Sequence, residues 1–116
     1  MSTKYNRLEP SEEELLEMLI EEASEVIFEA CKVLRHGKVA TDHHARPPRE
    51  YNNAGKLAME IGELMTVADQ CVKRGLIEQE IILQCTGPTV WAHKLRYTHQ
   101  QLDSEAGVPD QGYDGP

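Results

Sequence analysis

The stretch SEEELLEMLIEEASEVIFEACKVLRHG, Ser11 to Gly37, decides the fold. Leu16, Ile20, Ala23, Ile27, Ala30 and Leu34 recur in it at alternating steps of four and three, the period of a helix with one buried face. Ser11 follows Pro10 directly and offers a hydroxyl to cap the first turn. Glu14, three residues on, can reach back to it. At the other end Arg35 and His36 suit the negative pole of the helix dipole, and Gly37 can take the left-handed conformation that ends a helix.

A second helix begins at Asn52 or Asn53 and repeats Leu57, Ile61, Leu64, Ala68 and Cys71, until Lys73-Arg74-Gly75-Leu76 supplies cations, a cap and an apolar residue beyond it. Between the two helices, residues 37–52 hold Gly37, Asp42, Pro47, Pro48 and Asn52 without sustained periodicity, and read as a loop. From Ile77 the pattern is helical but weaker: Ile77, Ile81 and Ile82, then Trp91, Leu95, Thr98 and Leu102, with Gly87-Pro88 separating two pieces or kinking one. Strand-length alternation is absent. The expected organisation is an N-terminal tail over 1–10, one all-α domain over 11–102, and a C-terminal tail over 103–116 whose Gly, Pro, Asp and Ser content predicts disorder. Two long antiparallel helices with one or two shorter ones form a bundle, and a chain of 116 residues leaves part of their apolar surface unburied. A homodimer or homotetramer completing the core is therefore expected.

Composition narrows the function. Twenty Asp and Glu against twelve Lys and Arg give a formal charge of −8, which repels phosphate backbones and anionic lipid, so no general nucleic-acid or membrane binding is expected. No apolar run approaches the roughly 20 residues that span a bilayer, and the first residues lack the apolar core of a secretion signal, so a cytoplasmic location is expected. Cys31, Cys71 and Cys85 form an odd set without a C-x-x-C pair, as expected of reduced, packed thiols.

Nine glutamates lie between Glu9 and Glu29. Glu12, Glu13, Glu14 and Glu17 are accounted for by the first-turn dipole and a solvated face. Glu21 with Glu25, and Glu25 with Glu29, are like-charge pairs four apart, each unfavourable by a few tenths of a kcal/mol. At about 100° per residue, Glu22, Glu25 and Glu29 share a line with Met18, and Glu22 borders Leu15, Val26 and Val33. The second helix repeats the pattern with Glu60 and Glu63, which share a line with Val67 beside Leu57 and Leu64. Antiparallel packing on the two stripes brings Glu22, Glu25, Glu60 and Glu63 together. Four converging carboxylates need raised pKa values or a bound cation, and all-oxygen coordination suits Mg²⁺ first and also Mn²⁺.

In Leu19-Ile20-Glu21-Glu22-Ala23-Ser24-Glu25-Val26, followed after a loop by Glu60-Ile61-Gly62-Glu63-Leu64, the chain resembles the MazG-like all-α nucleoside triphosphate pyrophosphohydrolases, whose signature runs E-E-x-x-E then E-x-x-D. Leu34-Arg35-His36-Gly37 and Asn53, seven before Glu60, are similar to short stand-alone members, many of them from bacteriophages. The resemblance covers roughly Leu15 to Ile77. It implies Mg²⁺-dependent hydrolysis of (deoxy)nucleoside triphosphates to monophosphate and pyrophosphate in a dimeric or tetrameric bundle. By it, Glu22, Glu25, Glu60 and Glu63 take the metal-ligand positions, and Glu21 is the adjacent acid. Glu21 or Glu25 accepts the proton of the attacking water. Glu63 stands where the family has Asp, one methylene longer, and the interval between the motif halves is longer than usual, which suggests a lid or specificity loop.

The triphosphate calls for cations, and Arg35, Lys94 and Arg96 are the substrate-binding candidates, with Asn53 added by the resemblance. Arg46 and Arg49 sit in the loop. Asp42-His43-His44 has the letters of a metal-dependent phosphoesterase motif, but that motif belongs at a strand end and is read here as loop. No Glu-x-x-His pair of a di-iron bundle occurs, and neither the phosphate-binding G-x-x-x-x-G-K-[ST] nor a Ca²⁺ loop is present. The rival function is a non-enzymatic acidic helical module that binds a basic protein surface by charge complementarity.

Overall fold

In the computed structural model the described residues are 5–40 and 51–101. The Asp42-His43-His44 motif, Arg46, Arg49, Leu102 and the tail expected over 103–116 lie outside them. The described residues form α1 (Pro10–His36), α2 (Asn53–Lys73), α3 (Gln79–Gln84), α4 (Pro88–Lys94) and a closing 3₁₀ turn (Leu95–Tyr97), with no strand among them. The fold is all-α. Two compact units divide the chain, Met1–Ile77 and Glu78–Pro116.

The first unit is an antiparallel hairpin of α1 on α2, and its two ends show the direction. At one end Arg74, just past α2, donates from Nη2 to Ser11 Oγ at the start of α1 (2.8 Å). At the other, Asn53, the first residue of α2, donates from Nδ2 to the Gly37 carbonyl past the end of α1 (3.1 Å). The backbone N–H groups of Asn53 and Ala54 donate to the carbonyls of Ala40 (2.8 Å) and Lys38 (3.0 Å). Half of the orphan donors at the start of α2 are thereby satisfied by the chain leaving α1.

The start of α1 differs from the sequence expectation. Pro10 occupies the first helical turn and Glu9 is the N-cap, with Glu12 Oε1 accepting from the Glu9 backbone N–H (2.8 Å). The box is set by Pro10, whose fixed φ and missing N–H suit the first helical position, so Ser11 falls inside the helix and binds Arg74 instead of capping. The end of α2 is as expected, whereas Gly37 ends α1 with a positive φ but an extended ψ of 164° instead of the left-handed helical conformation. Gly37 (φ 86°) donates to the Val33 carbonyl. At the end of α2, Gly75 (φ 75°) and Leu76 donate to the carbonyls of Val72 and Cys71, both at 2.9 Å, the paired bonds of a Schellman end.

Which face of α1 is buried also differs. Leu15, Leu19, Glu22, Val26, Glu29 and Val33, spaced four and three, lose solvent along one line, whereas Ile20, Ile27 and Leu34 of the expected stripe stay 69%, 65% and 88% exposed. On α2 the inward line is Asn53, Leu57, Glu60, Leu64, Val67 and Cys71, with Cys71 fully buried; Ile61, expected inside, is exposed. The hairpin therefore closes on a seam that carries acids at Glu22, Glu29 and Glu60. Of the cysteines only Cys71 is packed, and Cys31 and Cys85 are exposed.

The Asn53 clamp carries a prediction. Its side chain is 3% exposed and joins the two helix ends. Asn53→Ala is expected to cost about 1–3 kcal/mol, the range for a buried group stripped of its partner, measured by urea unfolding with an unchanged m-value.

In the second unit, Gly87 (φ 103°) separates α3 from α4 and Pro88 opens α4. That is the separating option left open by the sequence. Among its described residues Ala92 and His93 are buried, and the His93 ring meets the edge of Tyr97 with centroids 5.4 Å apart.

Candidate metal centre

Three acids converge across the hairpin. Glu22 and Glu25 come from the middle of α1, three residues and just under one turn apart, and Glu60 comes from the inward line of α2. One carboxylate oxygen from each lies within 4.8 Å of the other two. All three side chains are half-buried. Antiparallel packing of α1 on α2 lets their side chains reach one another.

The electrostatics show how unfavourable the arrangement is for three negative charges. Glu60 and Glu25 share a side-chain hydrogen bond, and this bond, then burial, then repulsion from Glu25, Glu63 and Glu22 hold the Glu60 carboxyl up at about 7. Burial first, and then the charges of Glu25, Glu63 and Glu21, raise Glu22 above the ordinary carboxylate value. One oxygen of Glu22 and one of Glu60, both Oε2, are out of solvent without a hydrogen-bond partner among the described residues. Buried carboxylate oxygens without donors are costly. A divalent cation supplies the missing positive charge and accepts oxygen ligands of this kind.

Of the other expected site residues, Glu21 and Glu63 act on this group electrostatically. Glu63 is exposed and lies outside the three-oxygen cluster, yet its charge is felt by both Glu22 and Glu60. Glu21 is exposed beside Glu22, with its backbone carbonyl accepting from Ser24 Oγ (2.7 Å). Arg35 is exposed in the last turn of α1. Asn53 is buried, and its amide nitrogen is spent on Gly37. Lys94 and Arg96 are exposed in the second unit, one ending α4 and the other in the 3₁₀ turn.

Glu29 was not among the expected ligands, although it is the most buried acid of the seam. Its Oε1 is 3.5 Å from Lys32 Nζ, one turn on. The sequence signal was its place four residues after Glu25, on the same line as Glu22. The ion pair with Lys32 separates its chemistry from that of the three-acid group.

The first unit is thus an α-helical hairpin whose three-carboxylate cluster could hold a metal ion. Compared with protein-family models, curated proteins and solved structures, the chain matches none.

Proposed function

We propose that the protein is a Mg²⁺-dependent nucleoside triphosphate pyrophosphohydrolase that converts a (deoxy)nucleoside triphosphate and water to the monophosphate and pyrophosphate. The observation that carries the reading is the meeting of Glu22, Glu25 and Glu60 from two helices, with two of their oxygens lacking a donor among the described residues. The order of the acids along the chain, E-E-x-x-E then E-x-x-E, supports it.

In this reading Glu22, Glu25 and Glu60 hold the cation, with Glu63 at the exposed edge. Bound Mg²⁺ neutralises charge that develops on the phosphoryl oxygens and the leaving pyrophosphate. Water oxygen bonds to the α-phosphorus while the bridge from that phosphorus to the β-phosphate oxygen breaks. A carboxylate takes the water's proton, and Glu21, exposed beside the cluster, is free of the steric demands of the seam. Arg35, in the last turn of α1, is the candidate of the first unit for the phosphate chain, and assembly as a dimer or tetramer belongs to the same reading.

The test is incubation with a panel of NTPs and dNTPs and Mg²⁺, with products resolved by anion exchange. Monophosphate with pyrophosphate is the expected outcome, and loss of turnover on chelation with EDTA goes with it. Diphosphate with phosphate would assign another hydrolase. No turnover across the panel would favour the acidic module that binds a basic protein.

A further inference from the structure

A nucleotide held at the three-acid centre through its cation also has a base to place. One stripe of α1 offers a partner for it. Glu21, Glu25, Phe28 and Lys32 recur at steps of four, three and four, so they follow one line along the helix, on the flank of the seam that Glu63 occupies on α2. Phe28 is the single phenylalanine of the chain and is 62% exposed. Of the Phe, Tyr and Trp residues in the first unit it alone lies within a helix, since Tyr5 precedes α1 and Tyr51 precedes α2.

Its Cα is three residues from that of Glu25, about 4.5 Å along the axis. Helical side chains lean toward the N-terminus and cover the turn before their own Cα, which carries the ring toward Glu25. Lys32 reaches back over it from the next turn, with Nζ 5.7 Å from the ring centroid. The lysine is itself held. Its side chain is 20% exposed, and Nζ lies 3.5 Å from Oε1 of Glu29, a buried acid of the seam. An ammonium over a ring is attracted to its negative face, so one face of Phe28 carries an anchored cation and the other is open to water.

We propose that Phe28 is the nucleobase platform of the site: the base of a nucleoside triphosphate stacks on the open face of the ring while the phosphates meet the cation at Glu22, Glu25 and Glu60. This inference rests on the metal-dependent nucleotide reading above. A phenyl ring has neither donor nor acceptor, so it reads the area of a base and not the groups on its edge. Purine nucleoside triphosphates are therefore preferred over pyrimidine ones, with little distinction between adenine and guanine.

The probe is the α,β-methylene triphosphate of 2-aminopurine riboside with Mg²⁺. Its fluorescence falls when the base stacks on an aromatic ring, and its α–β bridge resists cleavage, so binding is read without turnover. The wild-type chain is expected to quench it at saturation. Phe28→Leu should abolish the quench and weaken binding by about fivefold to 150-fold, the range of one aromatic–base stack, with unchanged helix content by circular dichroism because the position is exposed. Phe28→Trp should keep both. The Mg²⁺ complex of inorganic tripolyphosphate, which has no base, should compete equally well on wild type and Phe28→Leu, and Mn²⁺ affinity by electron paramagnetic resonance should be the same in the two. Non-fluorescent purine analogues should displace the probe at lower concentration than pyrimidine ones; equal displacement overturns the selection by area. Binding without quenching, Phe28→Leu binding as tightly as wild type, or binding of tripolyphosphate but not of the probe overturns the platform. If the probe binds and stacks while no nucleoside triphosphate is cleaved, the platform stands and the pyrophosphohydrolase reading falls. If neither the probe nor tripolyphosphate binds, both fall.

Discussion

Replacing Glu60 by glutamine is expected to lower turnover of Mg²⁺-nucleoside triphosphate by about 100-fold or more, the scale of losing one preorganised electrostatic group at a reacting centre. The fold should not suffer. Glu60 already shares a hydrogen bond with Glu25 and its carboxyl is held up at about 7, so near neutrality the cation-free protein carries it protonated to a large extent. Glutamine has the same shape and can donate from its amide to Glu25, as the protonated acid does. What it lacks is the charge that a divalent cation requires. Circular dichroism should show unchanged helix content, and the cation-free variant should melt at or above the wild-type temperature above pH 7. Turnover within about threefold of wild type would remove Glu60 from the metal centre. An acidic binding module, by contrast, would lose only part of its affinity for a basic partner.

The second large effect links pH, cation and stability. Glu60 rises from 4.5 to about 7 in the folded chain, and Glu22 is raised as well. Between those two pH values the folded protein holds protons that the unfolded chain has released. The unfolding free energy of the cation-free protein therefore falls as pH rises from about 4.5 to about 7, and levels off above. The stabilising contribution of these groups is complete below the unfolded value and is lost through the folded one.

Mg²⁺ reverses the trend, because binding needs the ionised carboxylates and displaces the protons. At 100-fold excess over its dissociation constant the cation should stabilise the protein by about 2.7 kcal/mol, several degrees in Tm for a chain of this size. The gain should be largest at pH 8 and vanish near pH 5. Thermal melts at these two pH values, with and without Mg²⁺, measure it. In Glu60→Gln the cation-free slope should flatten and most of the Mg²⁺ gain disappear. A wild-type Tm that ignores Mg²⁺ at pH 8 would leave the three acids without their cation.

The seam explains why these acids are tolerated at all. Glu22, Glu29 and Glu60 occupy positions of the four-and-three pattern that an aliphatic residue would fill in a hairpin built for stability alone. Buried or half-buried charges of one sign are retained at a cost to the fold. Glu29 recovers part of that cost through Lys32 at 3.5 Å. No such side-chain cation is paired with Glu22 or Glu60 among the described residues, and the burden falls on the proton shared with Glu25. That contrast sets the three-acid group apart from an ordinary salt-bridged helix surface, where i,i+4 acids alternate with lysines.

Much of this was legible in the chain because it is local. Pro10, Gly37, Asn52 and Gly75 act on the dihedrals and hydrogen bonds of their own turns, so the ends of α1 and α2 follow from a few residues each. The spacing of Glu22, Glu25 and Glu60 relative to their helices follows from the helical period and puts each acid on a known line. Even the error at Ser11 was local: a proline one residue earlier takes the first-turn position, and the cap moves back to Glu9.

What the period could not decide was which line of α1 turns inward. Leu15, Leu19, Val26 and Val33 form one apolar line and Leu16, Ile20, Ile27 and Leu34 another, about 100° apart on the same helix, so either can close a hairpin. Packing against α2 chose the first, drew Glu22 and Glu29 into the seam with it, and left Ile20, Ile27 and Leu34 in water. The same choice brought Glu60 within reach of Glu25 and turned Glu63 outward. Helix identity and helix ends are properties of neighbouring residues; the pairing of faces depends on two surfaces meeting, and only the folded chain contains both.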